Sequence, residues 1–278
     1  MLPTVLAATL LALAAAVLHA GWNLWVKQSG DRWMALWGQM TTAGIGGLAI
    51  SLAVGIPHGF VWWPVVASGV IHTFYIVSLA RSYDLADFSV TYPIARGSGA
   101  LLAAAGGVLF LSDHLSPLMV TGIAIAIGGI MLLAGHADNA HARAAFLVGA
   151  FIACYSLVDS HGSRINSGGI YALLIFTSTG LFSSAYGLAT GRRTEMVQAM
   201  RMQWRKYLLA GSASALTYWL VMLAVRRAPV GYVTALRESS VVIVALVGTR
   251  YLGEEGARRR VTAAAVVVAG LVVLVLGR

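Results

Sequence analysis

The sequence predicts an all-α integral membrane protein with about ten transmembrane helices in two inverted five-helix repeats. Three observations support this fold class. First, 59% of the 278 residues are hydrophobic and only 10% are charged, whereas soluble domains carry about 25% charged residues. Second, the chain divides into a series of apolar runs, most of them close to the length that crosses a bilayer. Third, the second half repeats the residue pattern of the first.

The apolar runs follow one another with short loops between them. Their approximate bounds are 3–26, 33–54, 61–80, 87–111, 117–135, 144–159 and somewhat beyond, 170–190, 207–225, 229–252 and 261–277. A helix needs about 20 apolar residues to cross the hydrocarbon core, so each run is expected to be one span. Barrel strands are excluded, because they alternate polar and apolar residues over about 10 positions. The longest loop, 191–206, is basic and is expected to form a surface helix.

The two halves, 1–140 and 141–278, align so that Arg96 of the fourth run matches Arg237 of the ninth. Five helices are an odd number, so the second copy enters the membrane from the opposite side. Such inverted repeats are typical of transporters that bind substrate near the bilayer midplane, between the two halves. The repeat therefore favours a transporter over a channel or a receptor.

Several function classes receive no support. The net charge of +9 invites a nucleic-acid partner, but the arginines lie in short loops between apolar runs, where orientation signals occur. Cys154 is the only cysteine, which excludes an intrachain disulfide and a cysteine-rich metal site. No HExxH, GxSxG or Walker signature occurs. We therefore expect no enzyme activity, no cofactor and no bound metal.

Arg96 and Arg237 are the leading site candidates. Arg96 lies about 13 Å from the start of its run, near the middle of a core about 30 Å thick. A charged side chain at that depth must face a partner or a watery cavity. Either the two guanidinium groups line a cavity and donate to a carboxylate, phosphate or phosphonate, or each is neutralised by a buried acid or by helix carbonyls.

Glu238 is the one acid placed inside a run and away from its ends. An intramembrane carboxylate is a functional candidate, and proton coupling is the obvious role. The alternative is a permanent ion pair with one of the arginines. Asp159 lies at the predicted end of its run, which favours an acid at the membrane interface.

The first run carries a polar stripe, since His19, Asn23 and Lys27 are four residues apart and share one helix face. Lys27 can extend to the interface, whereas His19 and Asn23 need hydrogen-bond partners in lipid. Trp22 lies beside this stripe and aligns with Tyr155 of the second half. The stripe is expected to line the cavity.

Aromatic residues of other runs complete the candidate site. His72 and Tyr75 share a face of the third run, and Tyr218 with Trp219 in the eighth run lies opposite them. Packing within the protein is the alternative role for all four.

Pro93 lacks a backbone N–H donor and is expected to break or kink the fourth span at Tyr92. Carbonyls freed in this way, together with the helix start that follows, would face the cavity, as in the discontinuous helices of transporters.

A set of motifs runs along nearly the whole chain: HAGWNLWVK at 19–27, YSLVDSHGSR at 155–164, the helix starts at 93–96 and 236–240, LSD ending at Asp113 and LGE ending at Glu254. With these motifs the chain resembles the drug/metabolite transporter superfamily, in its ten-helix EamA-like (DUF6) branch. The HAxWN and YxxxD patterns are similar to a subgroup found beside phosphonate-utilisation genes. The resemblance implies a secondary transporter with a central cavity that moves small polar metabolites across the inner membrane.

Loop charge predicts the orientation. The loops on one side hold twelve Lys and Arg residues, and the other side, including both termini, holds four. Because positive loops stay in the cytoplasm, the count places both termini outside, whereas the resemblance implies the reverse.

The predicted function is a multi-pass secondary active transporter of the cell inner membrane. It moves a small polar metabolite, anionic or zwitterionic, by alternating access. Export is the leading direction, and uptake of an organophosphonate-like anion is the alternative. A lipid-modifying enzyme would need clustered nucleophiles or metal ligands on one membrane face, and a non-transporting accessory subunit would have both arginines sealed by acids. The expected partners are the substrate, the bilayer, a proton as coupling ion and a second copy in a homodimer.

Overall fold

A computed structural model describes residues 2–27, 29–85, 88–134, 139–166, 168–243 and 257–277. These residues are almost entirely helical. The helices are α1 Leu2–Lys27, α2 Arg32–Val54, α3 Trp63–Leu85, α4 Phe88–Phe110, α5 Pro117–Ala134, α6 Asn139–Ile165, α7 Gly168–Ala189, α8 Arg193–Val225, α9 Val230–Arg237 and α10 Ala257–Leu276.

Six of these helices are long and apolar enough to cross a membrane, counted over the residues described. They are Thr4–Asn23, Trp63–Ser82, Pro93–Phe110, Ala140–Ile165, Gly169–Ala189 and Arg193–Val225, with Pro117–Leu132 and Val261–Leu276 as shorter apolar helices. Large apolar side chains such as Leu10 and Leu109 are exposed on the outside of the bundle. An outer surface of this kind fits lipid better than water, so the chain is a membrane-embedded helical protein.

The observed helices sharpen the bounds of the predicted runs and correct one loop. The loop 191–206 is not a separate surface helix, because α8 continues without interruption from Arg193. Helix α6 extends to Ile165, a turn and a half beyond Asp159. The second part of the ninth run, from 244 to 252, lies outside the described residues.

Helix α4 runs through Pro93, so a break at this residue is wrong, whereas a kink there stays a prediction. Pro93 lies in the second turn of α4, where its missing N–H removes a single helical hydrogen bond. An interruption occurs instead in the second half. Helix α9 ends at Arg237, Glu238 forms a turn, and the chain is helical again from 239 to 243.

The helices of the two halves pack against one another. Helix α1 contacts α8 and α9, while α6 contacts α3 and α4; α2 contacts α7 and α8, and α5 contacts α10. The α2–α7 contact depends on a close approach at Gly44, where an added Cβ would lie 2.6 Å from the Phe176 carbonyl oxygen. Gly46, two residues further on, has nothing within 4 Å of such a Cβ. Gly44 is therefore needed for this packing, whereas Gly46 is not.

The described residues form different ion pairs and hydrogen bonds at the two ends of the bundle. At one end, here called the Asp113 end, the Asp113 carboxylate pairs with Arg164 Nη2 at 2.8 Å and accepts a hydrogen bond from Val230 N at 2.7 Å. Arg226 donates to the Ser163 carbonyl at 2.8 Å. These contacts join the ends of α4, α6, α8 and α9.

At the opposite end, here called the Asp31 end, Asp31 caps α2 by accepting from Met34 N at 2.8 Å and pairs with Arg192. Two crevices of about 450 and 380 Å³ open beside this pair. Among the described residues, the contacts of the Asp113 end join four helices, and the Asp31–Arg192 pair joins the starts of α2 and α8.

Candidate functional site

A small cavity of about 50 Å³ lies inside the bundle, between α1, α2, α3, α6, α7, α8 and α9. At 10–15 Å³ each, it has room for about four water molecules. A larger ligand requires the surrounding side chains or helices to move apart. Its walls bring residues of both halves together around Arg237.

Five residues of the wall carry buried polar atoms that make no hydrogen bond within the described structure. They are His19 Nδ1, Trp22 Nε1, Thr179 Oγ1, Ser214 Oγ and Arg237 Nε. Buried polar atoms are almost always hydrogen-bonded, because each unsatisfied one costs about 1–3 kcal/mol. So many around one cavity indicate a site for a polar ligand, and three of the atoms, on tryptophan, arginine and histidine, belong to side chains that donate through N–H.

Arg237 is the charged group of this cavity. Its residue is 5% exposed, and no carboxylate of the described residues lies within salt-bridge distance of it. Its guanidinium carbon lies 6.0 Å from the centre of the Tyr218 ring. Its Nε is buried without a hydrogen-bond partner in the described structure, so this donor is available for an anion.

Arg96 has the opposite environment. Its Nη2 donates to Glu238 Oε1 at 2.6 Å and its Nε to Oε2 at 3.2 Å, which makes a two-point ion pair. Arg96 is 5% exposed and Glu238 1%. This arrangement matches the alternative left open from the sequence, in which Glu238 neutralises one of the arginines. The pair is buried beside the cavity and does not form its wall.

The local backbone explains why adjacent Arg237 and Glu238 face different groups. The Glu238 N–H donates to the Ala235 carbonyl and its own carbonyl accepts from Val241 N, both over three residues. This tighter winding interrupts the α-helix. Consecutive helical residues already point about 100° apart, so Arg237 faces the cavity while Glu238 reaches α4.

Aromatic rings form a packed wall on the side of α3, α6 and α8. His72 stacks on Tyr155 with ring centres 4.1 Å apart, and Tyr218 meets the edge of His72 at 5.8 Å. Tyr75 meets Tyr155 at 5.4 Å. His19 and Trp22 contact each other edge to face at 4.6 Å on α1. Rings held in this way give the cavity a fixed shape on one side.

Asp159 is a correction to the sequence interpretation, which placed it near the end of its run. It is fully buried, at 0% exposure. Its Oδ1 accepts from the Tyr171 hydroxyl at 3.1 Å, and its Oδ2 accepts from the Tyr218 hydroxyl. Helix α6 continues to Ile165, about 9 Å beyond Asp159, and side chains of α7 and α8 enclose the carboxyl group.

The structure brings most of the predicted site residues together. Those that line the cavity are His19, Trp22, His72, Tyr75, Tyr155, Tyr218 and Arg237. Arg96 and Glu238 lie beside it as the ion pair. Asn23 is half-buried one turn beyond the cavity wall.

Trp219 and Tyr92 are the remaining predicted residues. Trp219 is 38% exposed, because it follows Tyr218 by one residue and so points about 100° away from it. The side chain of Tyr92 lies outside the described residues, as do the side chain of Lys27 and the whole of Glu254.

Sequence reasoning missed six wall residues, namely Met40, Ile175, Phe176, Thr179, Ser214 and Thr217. Apolar wall residues carry no signal in an apolar helix. Ser and Thr hydroxyls also satisfy themselves on the carbonyl one turn earlier, as Thr217 does with Ala213 at 2.7 Å. Their sequence positions alone therefore do not distinguish Thr179 and Ser214 from such self-bonded residues.

Comparison with known proteins gives a fold likeness. No family model matches the chain, and no curated protein matches it. A crystal structure superimposes on it with a TM-score of 0.72 and 20% sequence identity, and the alignment covers 98% of each chain. At this identity the likeness concerns the fold alone.

Proposed function

We propose that the protein is a multi-pass secondary transporter that moves a small anionic or zwitterionic metabolite across the inner membrane. The observation that carries this proposal is the central cavity, where Arg237 and four neutral wall residues present buried polar atoms without partners in the described structure. A cavity of this kind inside a membrane-embedded helical bundle is suited to binding a polar solute away from both aqueous phases.

The helix packing supports the two-repeat arrangement on which alternating access depends. Exchanging α1–α5 for α6–α10 turns the α1–α8 contact into α6–α3, the α1–α9 contact into α6–α4, and the α2–α8 contact into α7–α3. All of these contacts occur, and α2–α7, α4–α9 and α5–α10 map onto themselves. Inverted repeats related in this way exchange inward and outward openings by rocking against each other.

The unequal ends of the bundle fit one state of such a cycle. The Asp113 end is tied by the Asp113–Arg164 pair and by the hydrogen bond from Val230 N, while crevices open at the Asp31 end. Transport by this mechanism breaks the contacts of one end as it forms those of the other. The Asp113–Arg164 pair is then a gate contact that opens once in each cycle.

The wall chemistry defines the substrate class. One guanidinium without an acid partner calls for one anionic group, a carboxylate, phosphate or phosphonate. The neutral donors and acceptors around it suit a second polar group on the same molecule, such as an amine. Uptake of an organophosphonate-like anion is the second candidate, and the same guanidinium favours it.

Counterflow in proteoliposomes tests the proposal. Vesicles preloaded with each of L-glutamate, succinate, methylphosphonate, 2-aminoethylphosphonate and choline receive a trace of the same labelled compound outside. We expect saturable exchange of at least one anion or zwitterion and none of choline. Arg237→Met is expected to lower this exchange about 10-fold or more at sub-saturating substrate. Arg227→Met, which changes an exposed arginine at the Asp113 end, serves as the matched control and is expected to exchange normally. Exchange by Arg237→Met at the wild-type rate overturns the proposed site, and no exchange of any compound by the wild type overturns transport.

A further inference from the structure

Asp159 is the buried charge that the proposed substrate site leaves unused. It lies on α6 with no exposed surface. Both of its oxygens accept hydrogen bonds from tyrosine hydroxyls, Tyr171 on α7 and Tyr218 on α8. No Lys, Arg or His of the described residues lies within ion-pair distance of it. A buried carboxylate without a cationic partner is the kind of group that takes up a proton rather than remain charged.

We propose that Asp159 is the proton-binding site of the transporter, and that a proton bound there travels in the same direction as the substrate anion bound at Arg237. This inference rests on the proposed transport function. It differs from the role suggested by the sequence for Glu238, which is already neutralised by its two-point pair with Arg96. Protonating Glu238 would leave Arg96 buried without its partner, so Glu238 is the less suitable acid.

Tyr218 links the two sites. Its hydroxyl donates to Asp159 Oδ2, and its ring faces the Arg237 guanidinium with 6.0 Å between the ring centre and the guanidinium carbon. Tyr218 is also part of the cavity wall. The Tyr218 side chain thus bonds Asp159, lines the cavity and faces the Arg237 guanidinium.

The route from the cavity to Asp159 runs through Tyr218. Its hydroxyl donates to Asp159 Oδ2, and a hydroxyl group can exchange donor and acceptor roles. A proton from the cavity can therefore reach the Asp159 carboxyl through this side chain. His72, which also lines the cavity, is bonded to Ser68, with 3.1 Å between Nδ1 and the hydroxyl oxygen.

Every element packed around Asp159 contributes titratable or charged groups to this region. They are His72 from α3, the Arg96–Glu238 pair between α4 and the end of α9, Tyr155 from α6 itself, Tyr171 from α7, Tyr218 from α8 and Arg237 from α9. The tyrosines are neutral donors, and the Arg96–Glu238 pair is neutral as a unit. The charge balance therefore depends on Asp159, Arg237 and the protonation of His72.

Charge balance gives the sign of the coupling. Without substrate, an ionised Asp159 and Arg237 sum to zero. With a monovalent anion beside Arg237, the sum returns to zero only when Asp159 holds a proton. Net charge is costly to bury in an apolar interior. The transporter therefore changes conformation in these two neutral states, empty or with both anion and proton bound. Anion and proton therefore bind cooperatively, and by linkage each strengthens the binding of the other, typically 5- to 150-fold. An inward proton gradient then drives uptake, which favours the import candidate over export.

Infrared difference spectroscopy tests proton binding without any substrate. Reconstituted protein is cycled between acidic and alkaline buffer, and the carbonyl stretch of a protonated carboxyl group is followed. We expect one buried-carboxyl band that is lost in Asp159→Asn and retained in Glu238→Gln. Tyr218→Phe, which removes one hydrogen-bond donor to the carboxyl, is expected to shift the band, and it provides a test if Asp159→Asn does not fold. A band that is unchanged in both Asp159→Asn and Tyr218→Phe overturns the assignment.

The closing experiment is uptake of the five compounds of the counterflow set, with and without an inward proton gradient. Protein-free vesicles correct for passive entry of the neutral acid. We expect the gradient to raise accumulation of the transported anion at least 5-fold for the wild type. We expect Asp159→Asn to keep counterflow but to lose the response to the gradient. A response that persists in Asp159→Asn, or that is lost in His72→Asn instead, overturns the proton site and leaves transport standing. No counterflow by the wild type overturns both proposals.

Discussion

Arg96 and Arg237 occupy matching positions in the two halves of the sequence, but they have opposite environments. Arg96 holds Glu238 with two hydrogen bonds of 2.6 and 3.2 Å. Arg237 has a buried Nε without a hydrogen-bond partner among the described residues and faces only the Tyr218 ring. Both residues are 5% exposed. The two arginines are therefore equally buried and occupy matching positions in the two halves, and they differ in their described partners.

This difference shows how matching positions in two halves of a sequence can hold arginines with different partners. A buried ion pair that loses one member leaves a costly uncompensated charge, so Arg96 and Glu238 depend on each other for stability. Arg237 has no carboxylate partner among the described residues, so its removal breaks no ion pair among them. Substitution at one arginine is therefore expected to change stability, and at the other to change binding.

The largest effect is expected from Glu238→Gln. This change leaves the Arg96 guanidinium buried without its carboxylate, and loss of one partner of a buried pair costs about 3–5 kcal/mol. The free energy of unfolding, measured by denaturant titration in mixed micelles, should fall by that amount. The double variant Arg96→Met/Glu238→Leu replaces the pair with apolar side chains and should recover most of the loss. A Glu238→Gln protein as stable as the wild type would show that the pair is not structural.

Arg237→Met is expected to give the next largest effect, on binding rather than on stability. Methionine roughly preserves the side-chain volume, so the free energy of unfolding should change by less than about 1.5 kcal/mol. A lost hydrogen bond to a charged group is worth about 1.5–3 kcal/mol, which raises the half-saturation concentration about 10- to 150-fold. Counterflow over a range of substrate concentrations measures this half-saturation concentration. Arg96→Met is the contrasting variant and should lose stability first; equal behaviour of the two variants would remove the distinction between the arginines.

A third test concerns the contact between α2 and α7, which joins the two halves. In Gly44→Ala the new Cβ would lie 2.6 Å from the Phe176 carbonyl oxygen, and the required shift of α2 from α7 should cost about 1–3 kcal/mol of unfolding free energy. Gly46→Ala, with nothing within 4 Å of its Cβ, is the matched control and should unfold like the wild type. Equal losses for the two variants would mean that general helix effects, rather than the α2–α7 contact, decide the result.

The smallest effect is expected from Trp22→Phe, which removes one neutral donor of the cavity wall. A neutral hydrogen bond contributes about 0.5–1.5 kcal/mol, so the half-saturation concentration should rise about 2- to 12-fold. The ratio of this effect to that of Arg237→Met measures how far the charge dominates recognition. A loss larger than that of Arg237→Met would assign recognition to the neutral wall rather than to the guanidinium.

Much of the fold was predictable, because the signals are local. Apolar runs of about 20 residues predict helices in a membrane-embedded chain, and the structure has helices at the described parts of all ten runs. The errors fell at helix ends and interruptions. Pro93 does not interrupt α4, since one missing hydrogen bond is a small cost within a packed helix. The break at Glu238 has no proline or glycine to announce it.

The candidate site was predictable only in part. Charged and aromatic residues such as Arg237, His72 and Tyr155 stand out in an apolar sequence, and they do line the cavity. Thr179 and Ser214 do not stand out, because hydroxyl side chains are common in such helices and usually bond their own backbone. The burial of Asp159 was not predicted, because it depends on how far α6 extends beyond this residue. Apolar composition defines helix ends poorly.

The sequence by itself determined that this chain is an apolar helical protein, that two arginines lie deep in its helices, and that aromatic and histidine side chains share faces with the predicted site. These properties follow from composition and helical periodicity, which are read over a few neighbouring residues. Only the tertiary structure decided that Glu238 pairs with Arg96, 142 positions away, and not with adjacent Arg237. It also decided that Asp159 is enclosed by two tyrosines. The physical reason is that an ion-pair partner is chosen by which side chains the packed helices bring within hydrogen-bonding distance, and no local pattern of residues encodes that choice.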